Sequence, residues 1–281
     1  MGRLEVVKAA HAGACYGVQR ALDMTLKAAG EGGSVCTLGP LIHNPRVVAE
    51  LEAEGIQVAD GVQDVHSDGV VIRSHGVVPQ VISQLEEHGA KVIDATCPHV
   101  MRAQRAAAKL AAAGRHVLVV GEAGHPEVEG ISAHAVEAGG ECTIVGSAQD
   151  IPEGLSGPVG VVVQTTQSRE RFEEVLRALE QRNLDLEVKD TICFATTQRQ
   201  HSAIELAERV DAMVVIGGRN SSNTTRLFEI CSQHCPKAFH IESADEVDPS
   251  WFGDCRVVGV SAGASTPDDQ IESVVSFLAE L

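Results

Sequence analysis

The chain has 281 residues, 44% hydrophobic but only 3% aromatic, so its cores must be aliphatic and alanine-rich, with length for three units of about 90 residues. Its formal net charge is −17 with no basic block, which excludes nucleic-acid binding along a phosphate-tracking surface. No signal-peptide core opens it and no apolar run reaches transmembrane length; with eight cysteines this points to a reducing cytoplasm, without disulfides and without a membrane.

In chain order, Val6-Val7-Lys8 reads as a strand leading to Cys15 and a helix pattern from Val18. A strand over 34–38 enters Gly39-Pro40-Leu41-Ile42-His43-Asn44-Pro45, and a helix follows over 46–54. The strand over 69–73 ends in Ser74-His75-Gly76, before a helix over 79–88. Val92-Ile93-Asp94-Ala95-Thr96-Cys97-Pro98 reads as a short buried strand ending in a cysteine, with an alanine-rich helix over 100–113 closed by Gly114. A strand over 116–120 enters Gly121-Glu122-Ala123-Gly124-His125-Pro126-Glu127; strands over 141–145 and 160–163 follow, the latter ending in Gln164-Thr165-Thr166. After a helix over 169–182, Val188-Lys189-Asp190-Thr191-Ile192-Cys193 leads to a helix over 197–210. Strands over 212–216 and 257–260 enter Asn220-Ser221-Ser222-Asn223 and Ala262-Gly263-Ala264-Ser265, before a last amphipathic helix.

Strand, cysteine and helix thus recur three times, and two copies share Asp-(Ala/Thr)-(Thr/Ile)-Cys. The expected fold is α/β, three similar domains with mainly parallel sheets: 14–96, 97–192, and 193–281 completed by the strand within 1–13. A cysteine that opens a helix at the C-terminal edge of such a sheet lies where ligands bind, and the helix N-terminus favours its thiolate. If the units share an axis, Cys15, Cys97 and Cys193 face one another. Structural zinc normally takes four ligands in close C-x-x-C pairs, and the chain has none; Cys231 and Cys235 are separated by three residues. One [4Fe–4S] cluster accepts three distant thiolates and leaves its fourth iron open to substrate oxygen. Cys36, Cys142, Cys231, Cys235 and Cys255 lack this setting and read as structural.

The polar loops supply the rest. His43, His75 and His125 each follow a strand, and the Asn220–Asn223 and Gly263–Ser265 loops offer small side chains and N–H groups for an anion. Neither a Walker loop nor G-x-G-x-x-G follows a strand, so no nucleotide cofactor is indicated. Glu127, after Gly-His-Pro, suits a proton donor. On these residues alone a reductase, a redox-neutral hydro-lyase, a non-catalytic iron–sulfur sensor and, least, a zinc protein stay open.

Gly13-Ala14-Cys15-Tyr16-Gly17-Val18, Ile42-His43-Asn44, Arg73-Ser74-His75-Gly76, Asp94-Ala95-Thr96-Cys97-Pro98, Gly124-His125-Pro126-Glu127, Gln164-Thr165-Thr166, Ile192-Cys193-Phe194-Ala195-Thr196-Thr197, Asn220-Ser221-Ser222-Asn223 and Ala262-Gly263-Ala264-Ser265 carry a further signal. Together they resemble the 4-hydroxy-3-methylbut-2-enyl diphosphate reductase family over essentially the whole chain. The resemblance implies three α/β domains in a pseudo-threefold trefoil around a central [4Fe–4S] cluster held by Cys15, Cys97 and Cys193. It implies that His43, His75, His125, Ser221, Ser222, Asn223 and Ser265 bind the substrate diphosphate and that Thr196 lines the pocket. Glu127 would deliver protons and Thr165 would order the substrate hydroxyl. The implied reaction is two-electron reductive dehydroxylation to isopentenyl and dimethylallyl diphosphate, the last step of the non-mevalonate isoprenoid pathway, with a ferredoxin or flavodoxin as electron donor. Ala10-His11-Ala12 and Tyr16 depart from the residues usual in the family, Asn-Pro-Arg and a small residue, which leaves the packing beside Cys15 open. Arg20, Arg102 and Arg199, within two turns of the three cysteines, read either as solvated helix arginines, the commoner case, or as a positive collar for an acidic donor.

Overall fold

The computed structural model describes residues 4–281, which form two compact units. The elements in order are β1 (Glu5–Lys8), α1 (Tyr16–Gly30), β2 (Val35–Leu38), α2 (Pro45–Ala53), β3 (Gln57–Ala59), β4 (Gly69–Ile72), α3 (Pro79–Glu87) and β5 (Lys91–Asp94). Next come α4 (Pro98–Ala112), β6 (His116–Val120), α5 (Pro126–Glu137), β7 (Cys142–Val145), β8 (Pro158–Val163), α6 (Arg169–Glu180) and β9 (Asp185–Lys189). Last are α7 (Phe194–Ala207), β10 (Ala212–Ile216), α8 (Ser222–His234), β11 (Ala238–Ile241), β12 (Val257–Ala262) and α9 (Asp268–Glu280). Among the described residues no helix is long and apolar enough to cross a membrane.

The strands make three four-stranded sheets, ordered β3-β2-β4-β5, β7-β6-β8-β9 and β11-β10-β12-β1, with every pairing parallel. Each therefore has the same winding, and β1 fills the edge place that β5 and β9 fill in the other two. Two sheets lie in one unit (Gln19–Ile42 and Val48–Cys193). The sheet ending in β1 lies in the other, formed by the described part of Met1–Val18, with His43–Val47 and Phe194–Leu281.

Strict alternation along central strands sends side chains to both faces. Leu118 and Val120 on β6 join Phe172, Val175 and Leu179 of α6. Val117 and Val119 join Leu110 of α4 and Val128 and Ile131 of α5. All four β6 residues are fully buried, and each such side chain contributes about 1.5–3 kcal/mol, so a one-residue slip is strongly resisted. In the other unit, Val214 and Ile216 face α9, while Met213 and Val215 face α7 and α8.

The strand before Cys97, expected to be buried and to end in the cysteine, is instead an edge strand, as are those before Cys15 and Cys193, and all three stop short of it: β5 is half-exposed and ends at Asp94, β9 at Lys189 and β1 at Lys8. An Asx turn is the reason in two copies. Asp94 Oδ1 accepts the Thr96 N–H at 2.9 Å, and Asp190 Oδ1 accepts the Ile192 N–H at 3.1 Å, turning the chain out of the sheet. The shared Asp-x-x-Cys phrase is thus a strand terminator. α5 as a helix and strands β3 and β11 have no counterpart in the sequence reading, and α7 begins three residues earlier than expected, directly after Cys193.

Candidate active site

Each of the three cysteines opens a helix. Cys97 is the N-cap of α4, with Pro98 in its first turn; Cys15 immediately precedes α1 and Cys193 immediately precedes α7. None of the three is in a disulfide, and all are half-buried. Their backbone N–H groups make one repeated bond. Cys97 donates to Ser74 O at 2.9 Å, Cys193 to Thr165 O at 3.0 Å and Cys15 to Ala264 O at 3.1 Å. The acceptor lies two residues past the end of the third strand in each sheet, so the cysteine loop is fastened to the loop that carries His75, Thr165 or Ser265. The remaining thiols differ. Cys231 and Cys235 sit in the core beneath α7 and α8, and burial, then Cys235, pushes the Cys231 thiol up to about 12. Cys36 is also core, and burial raises the Cys142 and Cys255 thiols.

In the Gln19–Ile42 and Val48–Cys193 unit, the loops after β4, β6 and β8 bring together His75, His125, Glu127 and Thr165. The His75 and His125 rings meet edge to face, with centroids 5.6 Å apart. His125 is the N-cap of α5: its Nδ1 accepts the Glu127 N–H at 3.1 Å, which places the ring proton on Nε2. Burial, and secondarily Arg73, lowers the His125 pKa, against a rise from Glu122, so the ring is neutral at pH 7 with Nε2 as a donor.

Glu127 is 1% exposed. Its Oε1 accepts the Thr165 N–H at 2.6 Å and its Oε2 accepts the Thr165 hydroxyl at 2.8 Å. Burial outweighs these bonds and pushes its pKa from 4.5 to about 7. The folded chain therefore holds this proton more tightly than the unfolded chain. The associated stability is complete below pH 4.5 and is lost as pH rises through about 7. Metal-free wild type should lose about 3 kcal/mol relative to Glu127→Gln between pH 4.5 and 8, measured by urea unfolding. Parallel stability curves for the two chains would contradict the assignment.

In the other unit, loops after β10 and β12 gather Ser221, Asn223 and Ser265 with His43. Ser221 caps α8 through the Thr224 N–H at 3.3 Å, placing Ser222 and Asn223 in the first turn. Ser265 Oγ donates to His43 O at 3.1 Å. Asn44 Nδ2 donates to Ser265 O at 2.8 Å and to Gln270 Oε1 at 3.0 Å. Thr196 is buried in the first turn of α7. Asn223 Nδ2 is a buried donor without a protein partner, as an anion-binding amide should be. Gly263 lets this loop close on Thr224: a Cβ there would stand 2.0 Å from Thr224 Oγ1. Gly263→Ala should cost about 1–3 kcal/mol by overpacking, and less in a Thr224→Ala background, as a double-mutant cycle in urea would show.

Asn44, Gln164 and Thr224 were not singled out from sequence. Gln164 Oε1 accepts the Glu122 N–H at 3.0 Å while its Nε2 is buried without a protein partner. Asn44 and Gln164 stand in the sequence only as members of the family motifs, and Thr224 only as a neighbour of the Asn220–Asn223 loop. Tyr16 points outward at 69% exposure, as Phe194 does after Cys193, and the His11 N–H is held by Ser202 Oγ at 3.3 Å.

These features define a parallel α/β protein whose strand ends carry helix-opening thiols, a proton-holding buried carboxyl and donors for an anion. The LytB protein family matches residues 6–279, and the chain belongs to that family. It is 44% identical over 279 residues to the 4-hydroxy-3-methylbut-2-enyl diphosphate reductase of Trichlorobacter lovleyi, covering 99% of each chain. It is 43% identical over 280 residues to the enzyme of the same name from Aquifex aeolicus, covering 99% of this chain and 97% of that one. A solved structure of (E)-4-hydroxy-3-methyl-but-2-enyl diphosphate reductase, the terminal enzyme of the non-mevalonate pathway, is 41% identical with TM-score 0.72, covering 99% and 100%. The Plasmodium falciparum E-1-hydroxy-2-methyl-but-2-enyl-4-diphosphate reductase structure shares the fold at 23% identity and TM-score 0.89, covering 98% and 88%. The family resemblance read from the motifs is therefore borne out.

Proposed function

We propose that this chain is a cytoplasmic 4-hydroxy-3-methylbut-2-enyl diphosphate reductase, built as three domains (14–96, 97–192, and 193–281 with the strand in 1–13). It would hold one [4Fe–4S] cluster through Cys15, Cys97 and Cys193. The donor set fits: three half-buried thiols outside any disulfide, each opening a helix, while burial raises the core thiol of Cys231. When bound, the cluster supplies two electrons, one at a time, and an open iron as Lewis acid for the substrate C4 oxygen.

The chain's own residues do the rest. His43, His75, His125, Ser221, Ser222, Asn223 and Ser265 bind the diphosphate, with His125 offering Nε2–H and Asn223 its buried amide. Thr196 lines the pocket. Thr165 orders the substrate hydroxyl while its N–H and O–H hold the Glu127 carboxyl. Glu127, half-protonated near pH 7, gives its proton to the departing hydroxyl oxygen, which leaves as water. Two electrons and a second proton, placed at one allylic carbon or the other, complete isopentenyl or dimethylallyl diphosphate. A ferredoxin or flavodoxin is the donor. The observation that carries this reading is one bonded unit: Cys193 N–H to Thr165 O, and Thr165 to both Glu127 oxygens.

Asn223→Ala should raise KM for the diphosphate by about 10–100-fold with a smaller change in kcat, the cost of one hydrogen bond to a charged group. Reaction of the anaerobic protein with dithionite and substrate should give both isopentenyl and dimethylallyl diphosphate by NMR. Hydration or dehydration products formed without consuming reductant would place the chain among hydro-lyases instead.

A further inference from the structure

Of the three arginines only Arg199 is withdrawn from the surface; Arg20 is half-buried and Arg102 exposed. Arg199 is 5% exposed, and all three guanidinium groups reach main-chain carbonyls beside a cysteine. Arg20, on the helix after Cys15, donates to Thr96 O at 3.2 Å, the residue before Cys97. Arg102, on the helix after Cys97, donates to Ile192 O at 3.4 Å, the residue before Cys193. Arg199, on the helix after Cys193, donates to Gly13 O at 2.7 Å, two residues before Cys15. The helix following each cysteine thus holds the loop preceding the next, in cyclic order.

In two copies the consequence is specific. Thr96 O and the Cys97 N–H belong to one peptide group. Its oxygen accepts from Arg20 and its N–H donates to Ser74 O. The Ile192–Cys193 peptide is held the same way by Arg102 and Thr165 O. A peptide plane held at both polar atoms is restrained against rotation, and it is the plane from which the thiol projects. In the third copy the arginine is one residue later and its acceptor one residue earlier. Cys15 N–H is still held by Ala264 O, and Gly13 makes the added turn at φ +92°.

We propose that Arg20, Arg102 and Arg199 are positioning residues, the first two holding the peptides that present Cys97 and Cys193 and the third the turn before Cys15, and so set how tightly iron is retained. This rests on the cluster reading above. Partners that orient metal ligands are typically worth 10–100-fold in metal affinity.

The test is iron release to a chelator from anaerobic holoprotein. Arg20→Met and Arg102→Met should release iron about 10–100-fold faster than wild type. Arg20→Lys and Arg102→Lys, which keep one charged donor, should recover part of the difference. Arg105→Met, at an exposed position further along α4, should behave as wild type. Wild-type release rates in both Met variants overturn the proposal, as does equal acceleration by Arg105→Met. A wild-type chain that holds no iron overturns the cluster reading instead. The locking is then read as amide exchange at Cys97 and Cys193 of the metal-free chain. Faster exchange in Arg20→Met and Arg102→Met respectively supports it, and unchanged exchange overturns it.

Discussion

Glu127→Gln is expected to lower kcat by about 10²–10⁴-fold, the range for removing a positioned proton donor, while iron content and KM stay near wild type. The substitution keeps shape and an acceptor oxygen for the Thr165 N–H, so the loop should hold. What it removes is a proton bound with a pKa of about 7. The same reasoning fixes the pH profile. Wild-type kcat should fall as pH rises through about 7, when the buried carboxyl gives up its proton, and the variant's residual rate should lack that limb. Steady-state kinetics from pH 6 to 9 would check both. A variant with wild-type kcat would remove Glu127 from the chemistry.

Cys97→Ser is expected to abolish iron binding and turnover together, since a serine hydroxyl is a poor replacement for a thiolate toward iron. Cys142→Ser is the matched control. That thiol is also half-buried, but it lies on β7, where burial raises its pKa and keeps it protonated. Iron and acid-labile sulfide assayed on anaerobically prepared protein distinguish the two. Equal iron in Cys97→Ser and wild type would mean that Cys97 is not a ligand.

What could be read from sequence was what is local in sequence. The Asp-x-x-Cys phrase was visible because an Asx turn needs its carboxylate two residues before the amide it binds, as at Asp94 and Asp190. The loops bearing His125, Glu127 and Ser221 were visible because a polar run after an apolar strand is a one-dimensional pattern. α5 was hidden by its content: Gly130 and His134 interrupt the periodicity, and its first turn is occupied by site residues. β3 and β11 are edge strands of three and four residues, too short to show alternation. Longer-range polar partners left no trace. Asn44 meets Ser265 and Gln270 across more than 200 residues of chain. The arginines show the same limit. Their spacing after each cysteine was evident, but a long side chain can lie inward along a helix or outward, and only the fold shows that Arg199 turns in to Gly13.

A reductase of this kind couples electron uptake to its substrate. Anaerobic protein containing about four irons per chain should oxidise reduced viologen only when 4-hydroxy-3-methylbut-2-enyl diphosphate is added. The reaction balance requires two one-electron dye molecules for each diphosphate converted. Dye oxidation at that ratio is the predicted result. A fully loaded protein that leaves the dye reduced in the presence of substrate would contradict it.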